Sequence, residues 1–124
     1  MKKKILLVDD KGEFRMLLSI FLAEKYEVHT AGNGLEALAA LQNGLDPDMI
    51  VTDLMMPEMD GKSLIRQVKT SGVFSHIPVL VLSTIDRSEE RIQLLKGGAD
   101  DFLVKPFNPE ELAIRIESHI RKSA

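Results

Sequence analysis

The chain has 124 residues, of which 44% are hydrophobic and 28% charged, with a net charge of −3 and no cysteine. This is the size and composition of one globular domain with a single core, residues 1–124. Lysine and arginine are scattered, so no basic face marks a nucleic-acid partner. No apolar run reaches membrane-spanning length, and Met1-Lys2-Lys3-Lys4 leads straight into a short apolar run rather than a secretory leader. The lack of cysteine is compatible with a reducing compartment, and a cytoplasmic location is the default expectation.

The first apolar run, Ile5–Val8, ends in Asp9 and Asp10. Phe14, Leu17, Leu18, Phe21 and Leu22 follow at i, i+3, i+4, i+7 and i+8, the spacing of one helix face. The second run, Val28–Ala31, gives way to Gly32-Asn33-Gly34 and a helical stretch with Leu35, Leu38 and Leu41. Met49–Thr52 is closed by Asp53, and Leu64, Ile65 and Val68 mark the helix after it. Val79–Leu82 ends in Ser83 and Thr84, before a helix carrying Ile92, Leu94 and Leu95. Phe102–Val104 ends in Lys105-Pro106. The last helix has Asn108 as N-cap, Pro109 at the first helical position, Glu111 for a capping-box-like pair, and a stripe of Leu112, Ile116 and Ile120. Asn33-Gly34, Asp46-Pro47, Asp60-Gly61 and Gly97-Gly98 punctuate the joins.

Near-continuous Val, Ile and Leu in short runs predicts strands buried on both faces, as in a parallel sheet. Alternation with helices predicts an α/β fold, a (βα)5 three-layer sandwich with helices on both faces. In such sheets ligands bind beyond the carboxyl ends of the strands. The residues there are Asp9 and Asp10, then Asp53, then Ser83 and Thr84, then Lys105.

If the first and third runs are neighbours, three carboxylates converge on one rim, and they cannot all remain ionised without a neutralising cation. Asp10, Asp53 and a main-chain carbonyl from the loop Leu54–Pro57 can hold Mg2+, with waters completing an octahedron. Lys105 offers a mobile positive charge of the kind that meets phosphate, and Ser83 a hydroxyl donor. Together these suit phosphoryl transfer to Asp, giving an aspartyl phosphate. Each residue singly has a plainer reading: an Asp as turn former or helix cap, Lys105 as a solvated surface lysine, Ser83 as a turn residue. Their occurrence in order at four strand ends favours a site. His29, His76 and His119 have no short ligand spacing and form no metal set.

The segments Ile5-Leu6-Leu7-Val8-Asp9-Asp10, Asp53-Leu54-Met55-Met56-Pro57-Glu58-Met59-Asp60-Gly61 and Val104-Lys105-Pro106-Phe107 resemble the receiver domain of bacterial two-component response regulators. The likeness runs from Lys3 to about Arg121. It implies a flavodoxin-like, doubly wound sheet of five parallel strands in the order 2-1-3-4-5. It implies Asp53 as phosphoacceptor, Asp9 and Asp10 as the acidic pair for Mg2+, and the main-chain carbonyl of Met55 as a further ligand. Ser83 would be the switch hydroxyl, Phe102 the switch aromatic, Lys105 the phosphate-binding lysine, and Lys105-Pro106 a cis peptide. The implied partners are a sensor histidine kinase or phosphotransfer protein, a downstream protein or an effector domain, and a second copy in a phosphorylation-dependent dimer. Such a domain modifies itself and is not a turnover enzyme. With the fifth helix expected to end near Arg121, the chain reads as a stand-alone receiver or the N-terminal domain of a longer regulator.

Some features tune this pattern. Phe102 lacks the hydroxyl of the tyrosine common at that place. Met55 and Ile85, two residues beyond Asp53 and Ser83, are apolar and cannot orient an attacking water, so slow self-dephosphorylation is expected. Gly12 either begins the first helix loosely or gives the backbone freedom beside the acidic pair. Met55, Met56 and Met59 crowd the acceptor loop, where ordinary packing competes with an adaptable partner surface.

Other chemistries fit less well. A haloacid-dehalogenase-type phosphatase needs its acid/base two residues after the nucleophile, whereas Asp10 is followed by Lys11-Gly12. A flavin carrier needs a first loop that welcomes phosphate, and Asp9-Asp10 repels one. The remaining alternative is a receiver-like interaction module that is not phosphorylated.

Overall fold

The computed structural model describes residues 1–84 and 87–123, with side chains as far as Arg121. Ile85, one of the two apolar positions expected to slow phosphate loss, lies outside the described residues. The elements alternate throughout: β1 (Lys4–Val8), α1 (Gly12–Leu22), β2 (Glu27–Ala31), α2 (Gly34–Gln42), β3 (Met49–Asp53), α3 (Gly61–Lys69), β4 (Val79–Ser83), α4 (Ser88–Lys96), β5 (Asp101–Val104) and α5 (Pro109–Ser123). The strands form one parallel sheet in the order β2-β1-β3-β4-β5, the expected (βα)5 doubly wound arrangement.

Every residue of β3 and β4 is buried. Successive side chains there point to opposite faces, so each strand feeds two cores. Ile50, Val79, Val81 and Phe102 join one core with Ala37 and Leu41 of α2, Leu64, Ile65 and Val68 of α3, and Leu94 of α4. Met49, Val51, Leu80 and Leu82 join the other with Leu18 and Leu22 of α1 and Leu112, Ile116 and Ile120 of α5. Burial on both faces is why these runs show no polar alternation.

Three helical expectations are modified by the packing. In α1 only Leu18 and Leu22 are buried, while Leu17 and Phe21 face outward. In α2 the buried positions are Gly34, Ala37 and Leu41, and Leu35 is exposed. In α4 Leu94 alone is buried, and Ile92 and Leu95 are exposed. The start of α5 is as predicted at Asn108, whose Oδ1 accepts from the Glu110 amide at 2.9 Å. Glu111 instead turns forward to Arg115, at 3.0 Å, so its carboxylate serves an i,i+4 ion pair.

Candidate functional site

Strand register places the polar residues. Val8 of β1 lies opposite Thr52 of β3, so Asp9, one residue on, comes level with Asp53. Asp53 lies opposite Leu82 of β4, and Ser83 opposite Val104 of β5, immediately before Lys105. Adjacent strand ends thus deliver Asp9, Asp10, Asp53, Ser83 and Lys105 to one rim of the sheet.

The carboxylates of Asp9, Asp10 and Asp53 each place an oxygen within 4.8 Å of the others. Asp9 and Asp53 are buried and Asp10 is exposed, so the cluster has two fixed walls and one side open to solvent. Lys105 Nζ reaches between the walls, 3.4 Å from Asp9 Oδ2 and 3.4 Å from Asp53 Oδ1. The same ammonium sits 4.5 Å from the centre of the Phe14 ring, a cation–π contact. One ammonium cannot balance three carboxylates, and the oxygen-only donor set suits a hard divalent cation.

Burial raises the Asp53 carboxyl above its ordinary titration range. Lys105 opposes that shift, Asp9 adds to it, and the Leu54 amide donating to Oδ1 at 2.9 Å opposes it again. Ser83 is buried at the end of β4, where its carbonyl accepts from the Lys105 amide at 2.7 Å and links the two strand ends. The Lys105–Pro106 peptide is cis. Met55 is exposed on the loop that follows Asp53. Phe102 is buried in the core shared with Leu94, one strand away from Ser83. At the start of the same strand, the Asp101 carboxylate accepts from Arg115 at 2.7 Å and pairs with His119 Nε2 at 3.0 Å, tying β5 to α5.

Two glycines shape the loop that follows Asp53. Gly61 begins α3 so close beneath Asp53 that an added Cβ would lie 2.5 Å from the Asp53 carbonyl oxygen. Gly34 begins α2 against Met59: its amide donates to the Met59 carbonyl at 3.0 Å, and a Cβ there would lie 2.7 Å from the same oxygen. Between these contacts Glu58 adopts φ 68°, a left-handed conformation that few non-glycine residues take. Side-chain caps complete the frame, with Asn33 Oδ1 accepting from Glu36 N and Asp60 Oδ1 from Ser63 N, both at 2.9 Å. Asn33-Gly34 and Asp60-Gly61 were legible as breaks between elements. Their role as close contacts with the loop after Asp53 depends on backbone approach that no local pattern encodes.

The outward turn of Leu17 and Phe21 has a counterpart beside the site. With Phe14, Pro106, Phe107 and Pro109 they line an apolar groove of about 490 Å3 that reaches Thr84 and Lys105. Phe107 packs edge-on against Phe14, with ring centroids 6.2 Å apart. The periodicity of α1 placed Phe14, Leu17 and Phe21 on one helix face with Leu18 and Leu22, without showing how much of that face the sheet covers.

The model of the response regulator receiver domain family matches residues 5–117. The chain is 43% identical to the response regulator PleD of Caulobacter vibrioides, over 98% of this chain and 27% of that protein. It is 42% identical to a probable transcriptional regulator, ycf27, of Cyanophora paradoxa, over 98% of this chain and 50% of that protein. The chain thus spans half or less of the length of these curated relatives. Among solved structures, the receiver domain of the Francisella response regulator 1452 superimposes with a TM-score of 0.92 at 34% identity, covering 99% of this chain and 100% of that one. The chemotaxis response regulator CheY4 of Vibrio cholerae superimposes with a TM-score of 0.89 at 36% identity, over 96% and 99% of the two chains. Fold, acidic rim and sequence agree: the chain belongs to the response regulator receiver domain family.

Proposed function

We propose that the chain is a phosphoacceptor switch that takes a phosphoryl group onto Asp53 from a phosphohistidine of a sensor kinase or phosphotransfer protein. One observation carries this reading: Lys105 stands 3.4 Å from both buried carboxylates, in a rim that holds three acids within 4.8 Å. An Asp53 carboxylate oxygen forms the new P–O bond as the P–N bond to the donor histidine breaks. The leaving imidazole nitrogen keeps that electron pair and takes a proton from solvent. Asp9, Asp10, Asp53 and the Met55 carbonyl would hold Mg2+, which supplies charge neutralisation at the transferring oxygens. Lys105 follows the new negative charge, and Ser83 offers its hydroxyl to the same phosphoryl oxygens.

The apolar groove of Leu17, Phe21 and Phe107 opens beside Lys105, where a donor protein has to bring its histidine, and supports docking there. The output would run the other way. Movement of Ser83 and Thr84 toward the phosphoryl group changes the space available to Phe102, and with it the surface of α4, β5 and α5. A downstream protein, an effector domain of a longer regulator or a second copy of the chain would shift the population by preferring one form. The domain modifies itself and does not turn over substrate. Cytoplasmic action fits the mixed surface charge, and no described helix is long and apolar enough to cross a membrane.

Incubation with Mg2+ and acetyl phosphate, read by intact mass for wild type and Asp53→Ala, tests the reading. A single added phosphoryl group on wild type and none on the variant is expected. An unmodified wild type would leave the interaction module as the function.

A further inference from the structure

Asp9 is held at both its backbone and its side chain. Its amide donates to the Ala31 carbonyl of β2 at 3.1 Å, and its Oδ1 accepts from the Lys11 amide at 2.8 Å. Its Oδ2 faces Lys105. Its carbonyl oxygen accepts from Arg15 Nη1 at 2.6 Å, a side chain arriving from the start of α1. That carbonyl belongs to the peptide joining Asp9 to Asp10, so whatever fixes it also fixes the stem from which the exposed Asp10 carboxylate projects.

A guanidinium beside a cluster built for a cation is electrostatically unfavourable for cation binding. The surroundings of Arg15 show how it is accommodated. Glu36, at the start of α2, accepts from the Gly32 amide through Oε1 at 2.9 Å. A Cβ on Gly32 would lie 3.2 Å from Glu36 Oε2 and 3.5 Å from Arg15 Nη1, so the acid and the guanidinium converge over this glycine. Arg15 and Glu36 thus flank Gly32 from the starts of α1 and α2, with Arg15 Nη1 directed at a main-chain oxygen.

We propose that Arg15 is a positioning residue of the metal site, acting through the Asp9 carbonyl to set the direction of the Asp10 carboxylate. The inference rests on the reading of Asp9, Asp10 and Asp53 as a divalent-cation site. It adds a residue that touches neither the cation nor the phosphoryl group.

The test compares wild type, Arg15→Ala, Arg15→Met and Arg15→Lys. Mg2+ affinity is measured by titration calorimetry, and urea unfolding in EDTA reports the fold. Outer partners of metal ligands typically carry about 10- to 100-fold in affinity. Arg15→Ala and Arg15→Met are expected to weaken Mg2+ binding by about tenfold while the EDTA unfolding curves stay close to wild type, and Arg15→Lys is expected to recover most of the loss. With acetyl phosphate, the Mg2+ concentration for half-maximal labelling should rise in Arg15→Met while the rate at saturating Mg2+ returns to that of wild type. Unchanged or tighter Mg2+ binding in both Arg15→Ala and Arg15→Met overturns the proposal, because the guanidinium then acts only as a repelling charge. A labelling rate that stays depressed at saturating Mg2+ also overturns it. Failure of wild type itself to bind Mg2+ would overturn the metal-site reading instead.

Discussion

Replacing the Asp53 carboxylate should make the metal-free protein more stable. Asp53 is buried beside Asp9 and Asp10, with acid oxygens within 4.8 Å of one another. At an effective dielectric constant near 20, two charges at the 4.8 Å limit repel by about 3.5 kcal/mol, a lower bound for this pair, and the exposed Asp10, screened by water, adds about 1 kcal/mol. Lys105 at 3.4 Å returns about 5 kcal/mol of attraction, so the pairwise effects nearly cancel. The cost of burying the charge is left over, in keeping with a carboxyl raised above its ordinary 3.8 chiefly by burial. In Asp53→Asn the amide oxygen can keep the bond from the Leu54 amide without the charge, so this variant is expected to gain about 1–3 kcal/mol at pH 7 in EDTA. The sign of the pH dependence follows. A carboxyl with a raised folded-state pKa contributes fully below its unfolded value and loses that contribution as pH rises through the folded value. The advantage of Asp53→Asn should therefore be small near pH 4, grow as pH rises and then level off. Urea unfolding across pH 4–8 measures it. Saturating Mg2+ should reverse the ranking, because the ion stabilises only a site with its ligands intact. An Asp53→Asn protein no more stable than wild type in EDTA at pH 7 would refute the reasoning.

Lys105→Met leaves Asp9 and Asp53 buried without their ammonium; a loss of about 2–4 kcal/mol at pH 7 in EDTA, shrinking as pH falls and one acid takes a proton, is expected in urea unfolding. Gly61→Ala forces a Cβ to within 2.5 Å of a backbone oxygen, and a loss of about 1–3 kcal/mol with weakened Mg2+ binding should follow. Gly12→Ala, whose Cβ meets nothing within 4 Å, should be neutral or gain up to about 1 kcal/mol in the same unfolding assay. Met55→Asn puts an amide at an exposed position two residues from Asp53, and phosphate release from the phosphorylated protein is expected to quicken several-fold.

The sheet was legible because β3 and β4 are buried along their whole length, and runs such as Met49-Ile50-Val51 have no other reading at that length. The rim was legible for the same reason: once the strands are parallel neighbours, register alone brings Asp9, Asp53, Ser83 and Lys105 together. Helix faces were less so. Periodicity states which side chains share a face but not how much of that face the sheet covers. Leu17, Phe21, Ile92 and Leu95 therefore sat in the predicted stripes and outside the core. Contacts set by close backbone approach, Gly34 on Met59 and Gly61 on Asp53, left no signal beyond a glycine in a turn. Arg15 is the clearest case of the same limit, since its partner is a carbonyl and not a side chain.

The shallow seating of α4 has a consequence for dynamics. Leu94 is its one buried residue, and burying one leucine contributes about 2 kcal/mol. The Lys62–Glu90 contact to α3, 3.4 Å long and open to water, adds at most about 1 kcal/mol. Local opening of this helix thus costs far less than separating β3 from β4, and its amides should exchange with deuterium long before those of the central strands. A small perturbation should therefore change how often α4 leaves its place before it disturbs the central strands.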